Sequence, residues 1–311
     1  MKAAPWLLLL CMANAQAAQT LPPAEAVAWL QKMADASRQL AYEGVFVVRQ
    51  GDGMQTLSIS NRPSTQGNES RLLSLDGNPR EVRCSQTGAV TLVSDGSQVH
   101  TEKRLSNRHF PDLLPAYPRA LLNWYEVRLG EMARVAGLDC RNVEIQPKDA
   151  FRWGYVLCAE KDSGLPLKAV MINGNKQPLM QYVFAEIKLG TGTQKLQSQS
   201  APRVETPDPA RPTDAVFARS LPPGYARIAA VRRHLPNMPG EVAHWVFSDG
   251  LTHISLFLAP SDKPAEPLKG VSPSGMVNLM RRQVGEFQAT VLGDAPWVAV
   301  EAIAQGLEPR K

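Results

Sequence analysis

Five histidines could do chemistry: His100, His109, His234, His244 and His253. His244 and His253 flank Asp249-Gly250. A two-residue turn there would set them diagonally on one hairpin face, as a pair of metal ligands. Two ligands are not a site, and no third stands at zinc spacing, so solvated strand histidines are the expectation. Ser94-Asp95-Gly96 and Ser248-Asp249-Gly250 put a hydroxyl beside a carboxylate, but Asp-Gly is hairpin-turn chemistry. No G-x-S-x-G elbow and no phosphate-binding loop appear. Asp149 and Arg152 read as a loop ion pair at most. Arg232-Arg233-His234 and Arg281-Arg282 are modest basic clusters, which read first as solvated faces and second as a partner surface with Arg232, Arg233 and Arg281 as its candidates. No catalytic residue, no metal and no cofactor is expected, and an enzyme is possible but unsupported by these residues.

The chain has 311 residues and a net charge of +5, with 44% hydrophobic and 20% charged residues. That length suggests two domains. The charge is too mild to argue for nucleic acid, and it suits an acidic protein or an anionic headgroup. Lys2, the apolar run Trp6 to Met12 and the small-residue sites Ala13-Asn14-Ala15 and Ala15-Gln16-Ala17 form a secretory signal peptide, expected over 1–17. Cys11 follows Leu10, which is not the small residue that lipid attachment needs. A soluble exported protein in a bacterial periplasm is therefore expected. Cys84, Cys140 and Cys158 remain. A hairpin turn centred near Asp149 would put Cys140 opposite Cys158, and a bridge and two buried thiols are equally open.

The elements follow from periodicity. Pro22 and Pro23 open a helix whose stripe is Ala26, Leu30, Met33, Ser37 and Leu40. From Tyr42 the period is two, and Gly51-Asp52-Gly53 turns the chain into a strand over 56–60. Residues 61–70 read as a polar loop. Further strands are expected at 71–75, 81–84 and 90–93. Lys103 to Pro118 is irregular, either a binding loop or a core-packed connection. After a short helical piece at 120–124, strands follow at 126–129, 133–136 and 141–146, then a meander. In that meander Asp162-Ser163-Gly164 is a turn, and Asn173-Gly174-Asn175 lies between the last two strands. Residues 191–212 are polar and proline-rich, a linker between domains at 18–190 and 213–311. In the second, strands at 242–247 and 251–258 put Trp245, Phe247, Ile254 and Leu256 on one apolar face. Residues 261–273 read as a loop, and Asp294 as the cap of a closing helix near Pro296.

Pro147, Asp149, Phe151-Arg152-Trp153-Gly154-Tyr155 and Gly164-Leu165, Leu167-Lys168 together resemble the RseB/MucB family of periplasmic regulators of envelope-stress sigma factors. Tyr42-Glu43-Gly44-Val45-Phe46-Val47, Asp76-Gly77 with Arg80-Glu81-Val82, Leu221-Pro222-Pro223-Gly224 and Ser248-Asp249-Gly250-Leu251 extend the likeness. It implies an α+β fold, mainly antiparallel β. The first domain would be a curved, unclosed barrel similar to the lipoprotein carriers LolA and LolB, wrapped around helices. A smaller α+β domain would follow. The resemblance also implies a partner, the periplasmic region of a membrane-anchored anti-sigma factor of the RseA/MucA kind, shielded from site-1 proteolysis until lipopolysaccharide or lipoprotein acyl chains release it. Phe46, Val48, Leu57, Ile59, Leu72 and Tyr182 would then line the acyl cavity, or could equally be plain core. A periplasmic lipid or lipoprotein carrier is the competing function, and the oligomeric state stays open.

Overall fold

The computed structural model describes residues 19–64, 67–85, 88–94, 99–104, 109–190, 215–234, 240–261, 266–272 and 275–310. The expected signal peptide and linker lie outside them. Twelve strands form one antiparallel sheet: β1 (Gln19–Thr20), β2 (Tyr42–Gln50), β3 (Gly53–Ser64), β4 (Gly67–Ser74), β5 (Arg80–Ser85), β6 (Gly88–Ser94), β7 (Val99–Arg104), β8 (Tyr125–Val135), β9 (Leu138–Pro147), β10 (Gly154–Glu160), β11 (Pro166–Ile172) and β12 (Pro178–Leu189). Their order is β1-β8-β9-β10-β11-β12-β2-β3-β4-β5-β6-β7. Two meanders thus join where β12 pairs β2, and the sheet does not close on itself. Phe184 faces Phe46 across that junction, after which the register shifts at Glu186. Gly44 is needed there, because a Cβ would come within 2.4 Å of the Glu186 carbonyl oxygen.

Helix α1 (Pro23–Gln39) begins with the proline that suits a first helical turn. It turns Ala26, Leu30, Met33 and Ser37 into the sheet's core. Ser37 is tolerated because its hydroxyl donates to the carbonyls of Met33 and Pro111. Arg38 reaches Asp112 and the Leu114 carbonyl. These bonds fasten the segment after a cis Phe110-Pro111 bond to the helix. Phe110 sits 5.1 Å from Phe46, 5.2 Å from Tyr182 and 5.1 Å from Phe184, ring to ring. The described part of the irregular stretch is therefore a core-packed connection.

The second sheet runs β14-β15-β16-β19-β18-β17. Its strands are β14 (Ala226–His234), β15 (Glu241–Ser248), β16 (His253–Pro260), β17 (Leu268–Val271), β18 (Asn278–Val284) and β19 (Phe287–Gly293). Helix α2 (Trp297–Gln305) packs against β18 and β19, and its Ala299, Val300 and Ile303 share one core with Trp245, Phe247, Ile254 and Leu256. A two-stranded ribbon, β13 (Val216–Ala218) with β20 (Leu307–Pro309), brings the two ends of this half together. Mainly antiparallel strands, few helices and open sheets are the fold class expected.

Several expectations need correction. Residues 61–64 and 67–70 continue β3 and β4, because Asn61 is buried and donates to the Leu40 carbonyl. Residues 126–129 and 133–136 belong to one strand, β8, broken only by a bulge between Leu129 and Met132. The short helical piece is a 3-10 turn over Pro118–Asn123. The loop at 261–273 contains the edge strand β17. The turn at Asp162 is held by Glu160, whose carboxylate accepts from the Asp162 and Ser163 amides and the Ser163 hydroxyl. Asp294 does not cap α2; its carboxylate accepts from the His253 amide.

Cys140 and Cys158 are bridged, with Cα atoms 5.4 Å apart, while Cys84 is buried and outside the disulfide. The pairing is diagonal: Cys140 faces Glu160 and Cys158 faces Asn142. The hairpin loop is two residues longer than the centre near Asp149 implied. The bridge closes a loop with a sequence separation of 18. Replacing both cysteines by Ala should lower stability by about 2–3 kcal/mol, read from urea unfolding midpoints. Non-reducing peptide mapping should show the linked pair in the wild type.

A buried arginine between the two sheets

The extra loop length carries Asp149, Phe151 and Arg152. Asp149 accepts the Phe151 amide, which bends the chain so that Arg152 points inward. The Arg152 side chain has no solvent exposure. Its Nε donates to Asp149 at 2.9 Å, its Nη1 to Asp249 at 3.2 Å and its Nη2 to the Pro223 carbonyl. The guanidinium lies 5.1 Å from the Trp124 ring and 5.6 Å from each of Tyr125 and Tyr225. Such a cage of rings favours a cation once water is excluded. The reading of Asp149 and Arg152 as a loop ion pair at most was too small, because Asp249 and Pro223 belong to the other half of the chain.

Asp249 is organised in turn. Its Oδ1 accepts the amides of Leu251 and Thr252 and the Thr252 hydroxyl, and its Oδ2 accepts the Tyr125 hydroxyl at 2.7 Å. Those bonds hold a four-residue loop over 249–252 where a two-residue turn was expected. Trp245 consequently pairs Leu256, and Phe247 pairs Ile254. The apolar face survives because a two-residue change keeps parity. The histidines do not meet: His244 faces Phe257 and His253 faces Ser248. His244 is buried, not solvated, its ring 4.2 Å from Phe257 and its Nε2 2.9 Å from the Ser255 hydroxyl. Among the described residues, no group of three or more His, Cys, Asp or Glu is placed to hold a metal ion.

Two glycines let the halves approach. At Gly224 (φ +81°) a Cβ would come within 2.6 Å of the Trp124 ring. At Gly250 (φ +107°) it would meet Leu121 at 2.9 Å. Leu251 and Met276 enter the first half's core, and Phe151 packs on the second's. Tyr225 closes the seam by donating to the Phe151 carbonyl.

Electrostatics follow from burial. Burial works against the Arg152 charge, but the bond to Asp149 and the nearness of Asp249 hold its pKa above the ordinary value. Burial, then Asp249, pushes the Tyr125 hydroxyl well up, so it stays a donor. Beside this node a cavity of about 150 Å³ lies between the halves, lined by Tyr155, Met171, Met180 and Tyr182 on one side and Leu251, His253 and Asp294 on the other. Asp294 is half-buried and lines that cavity. Burial therefore raises its pKa to about 6, against the lowering effect of amide donors.

Of the residues assigned to an acyl cavity, Phe46, Ile59 and Leu72 are buried in the first core, and Val48, Leu57 and Tyr182 pack half-buried against it. Tyr182 alone among these six lines the interdomain cavity. Arg232 is exposed on β14, Arg233 is half-buried beside it, and Arg281 lies half-buried on β18, across the sheet.

The arrangement defines a class: a two-sheet antiparallel β protein whose halves share one caged cation. The chain belongs to the MucB/RseB family. The model of the MucB/RseB N-terminal domain matches residues 25–205 and that of the C-terminal domain residues 213–308. Sigma factor AlgU regulatory protein MucB of Pseudomonas aeruginosa is 28% identical over 310 residues, 97% of this chain and 96% of that one. Sigma-E factor regulatory protein RseB of Escherichia coli is 26% identical over 322 residues, 96% and 94% of the two chains. A solved Pseudomonas aeruginosa MucA/MucB complex covers 92% of this chain and 99% of its own, with TM-score 0.74 and 28% identity.

Sequence reasoning missed the role of Arg152 with Asp249. The available signal was an arginine between two aromatics, Phe151 and Trp153, in a loop otherwise free of function. Arg152→Met strands Asp249, which keeps its donors but loses its counter-charge. The loss should be about 3–5 kcal/mol, with an increased radius of gyration in solution scattering. Asp294 gives the opposite sign. Its folded pKa lies above the unfolded value of 3.8, so stability falls as pH rises between about 4 and 6. Asp294→Asn should raise stability by about 1–3 kcal/mol at pH 7.5 and by little near pH 4, read by thermal melts at both.

Proposed function

We infer that this protein is a periplasmic regulator that grips the periplasmic part of a membrane-anchored anti-sigma factor and shields it from a site-1 protease. The single observation that carries this is likeness across both halves to a MucB solved in complex with MucA. The likeness extends over the joint as well as each sheet. TM-scores are 0.74 and 0.73 against the MucA-bound structures and 0.68 against MucB alone. A signal peptide read over 1–17 supports export. Among the described residues no helix is long and apolar enough to cross a membrane.

The site chemistry fits occupancy, not turnover. The carboxylates at the joint are spent on Arg152 and on backbone amides, and the tyrosines are held as donors. We read the protein as a non-enzyme for that reason. Lipid release fits the same geometry. Acyl chains of lipopolysaccharide or lipoprotein would enter from the interdomain cavity at Tyr182 and press toward Phe46 and Phe110, loosening the joint. Calorimetric titration with the periplasmic domain of the cognate MucA-type protein should give tight binding, and a site-1 protease should cut the complex more slowly than the free domain. Failure of both ends this reading.

A further inference from the structure

We propose that β14 is an open sheet edge that takes an extended acidic segment of the partner as an added strand. The proposal rests on the regulator reading and assigns how the partner is held. Among the described residues β14 pairs only β15, and it ends the six-stranded sheet. It is nine residues long, Ala226–His234. Folded proteins usually protect a sheet edge by shortness, charged side chains, proline, a bulge or a covering element, and β14 has charges and one bulge. Here the bulge between Arg227 and Ala229 twists only the first third, leaving Ala229–His234 in unbroken register with β15.

The side chains say what the edge would accept. Arg227 is engaged over the Trp245 ring, 4.8 Å from its centroid. Ile228 at the bulge is 53% exposed, an apolar foothold at one end. Arg232 and Arg233 are successive, so they point to opposite faces of the sheet. His234 ends the strand, with Glu241 at 4.0 Å the acid facing it. A strand laid along this edge would meet small or apolar residues opposite Ala229–Val231 and a cation on each face opposite Arg232 and Arg233. The matching occupant has adjacent acidic residues, one for each face, next to a short apolar run. Main-chain bonds supply affinity in strand addition and side chains supply register. Arg281 lies on β18 near the far edge and takes no part.

The test uses the mature full-length chain and the periplasmic domain of the cognate MucA-type protein. Hydrogen exchange over 226–234 should slow by about tenfold or more in the saturated complex. R232E/R233E should weaken binding by about tenfold at low salt with an unchanged melting temperature, and R232Q/R233Q should weaken it less. Should the reversal variant unfold, the Gln pair decides, with at least about a threefold loss expected. Unchanged exchange over 226–234 in a saturated complex, or full affinity in both variants, overturns strand addition and leaves the regulator reading standing. Protection of 226–234 that appears without partner and grows with concentration makes a second copy the occupant and overturns it too. No binding by the wild-type chain overturns both.

Discussion

A guanidinium cannot be taken out of water without partners, and that constraint shapes this molecule. Arg152 satisfies it with two carboxylates, one carbonyl and three aromatic rings. Those partners come from four separate stretches: Trp124-Tyr125, Asp149, Pro223 to Tyr225, and Asp249. Each must arrive at the right depth and angle. The diagonal register at Cys140 and Cys158, the four-residue loop after Ser248 and the two left-handed glycines are all local solutions to that one requirement. Replacing such a pair by apolar groups is often neutral or favourable in other proteins. Its use here is better read as fixing one arrangement of the halves than as a source of stability.

The second constraint is that the concave face of the large sheet is already filled. Helix α1 and Phe110 put Leu30, Met33 and an aromatic cluster where an open carrier would have space. Phe46 meets three rings of the protein's own. An acyl chain arriving there must displace packed side chains, which costs more than entering a dry void. One space lies where the halves meet, lined by Tyr155, Met171 and Tyr182 from one and by Leu251 and Asp294 from the other. A ligand in that space touches both halves at once. Occupancy and domain arrangement are thereby linked by contact alone.

The strands and the apolar faces were legible in the sequence because alternation is local. Trp245, Phe247, Ile254 and Leu256 shared a face whichever even loop length joined their strands. What was not legible depended on contacts far apart in the chain. Asn61 looked like loop chemistry until its amide met the end of α1. Asp249 looked like a turn residue, and it is one, but its second oxygen serves Tyr125 and Arg152. Asp294 looked like a helix cap and instead serves the amide of a residue 41 positions away. Polar residues were misread wherever their partner lay beyond the next turn. Part of the resemblance was carried by these same stretches, Phe151-Arg152-Trp153, Pro222-Pro223-Gly224 and Ser248-Asp249-Gly250-Leu251, whose common physical role is the joint.

That role explains why a regulator of this kind would need two domains. A single sheet can hold a partner along an edge, but it has no means of letting go when a lipid arrives elsewhere. A ligand shifts a protein's state only by its differential affinity for two arrangements. With the halves joined at one caged cation, the closed arrangement has a definite energy, and anything wedged beside Tyr182 acts against it directly. Under the proposed function, a partner gripped through the second half would sense that strain without touching the lipid. The same coupling acts in reverse, since linkage between two binding sites is reciprocal: a partner that favours the closed joint must weaken acyl binding by the same factor that acyl binding weakens it.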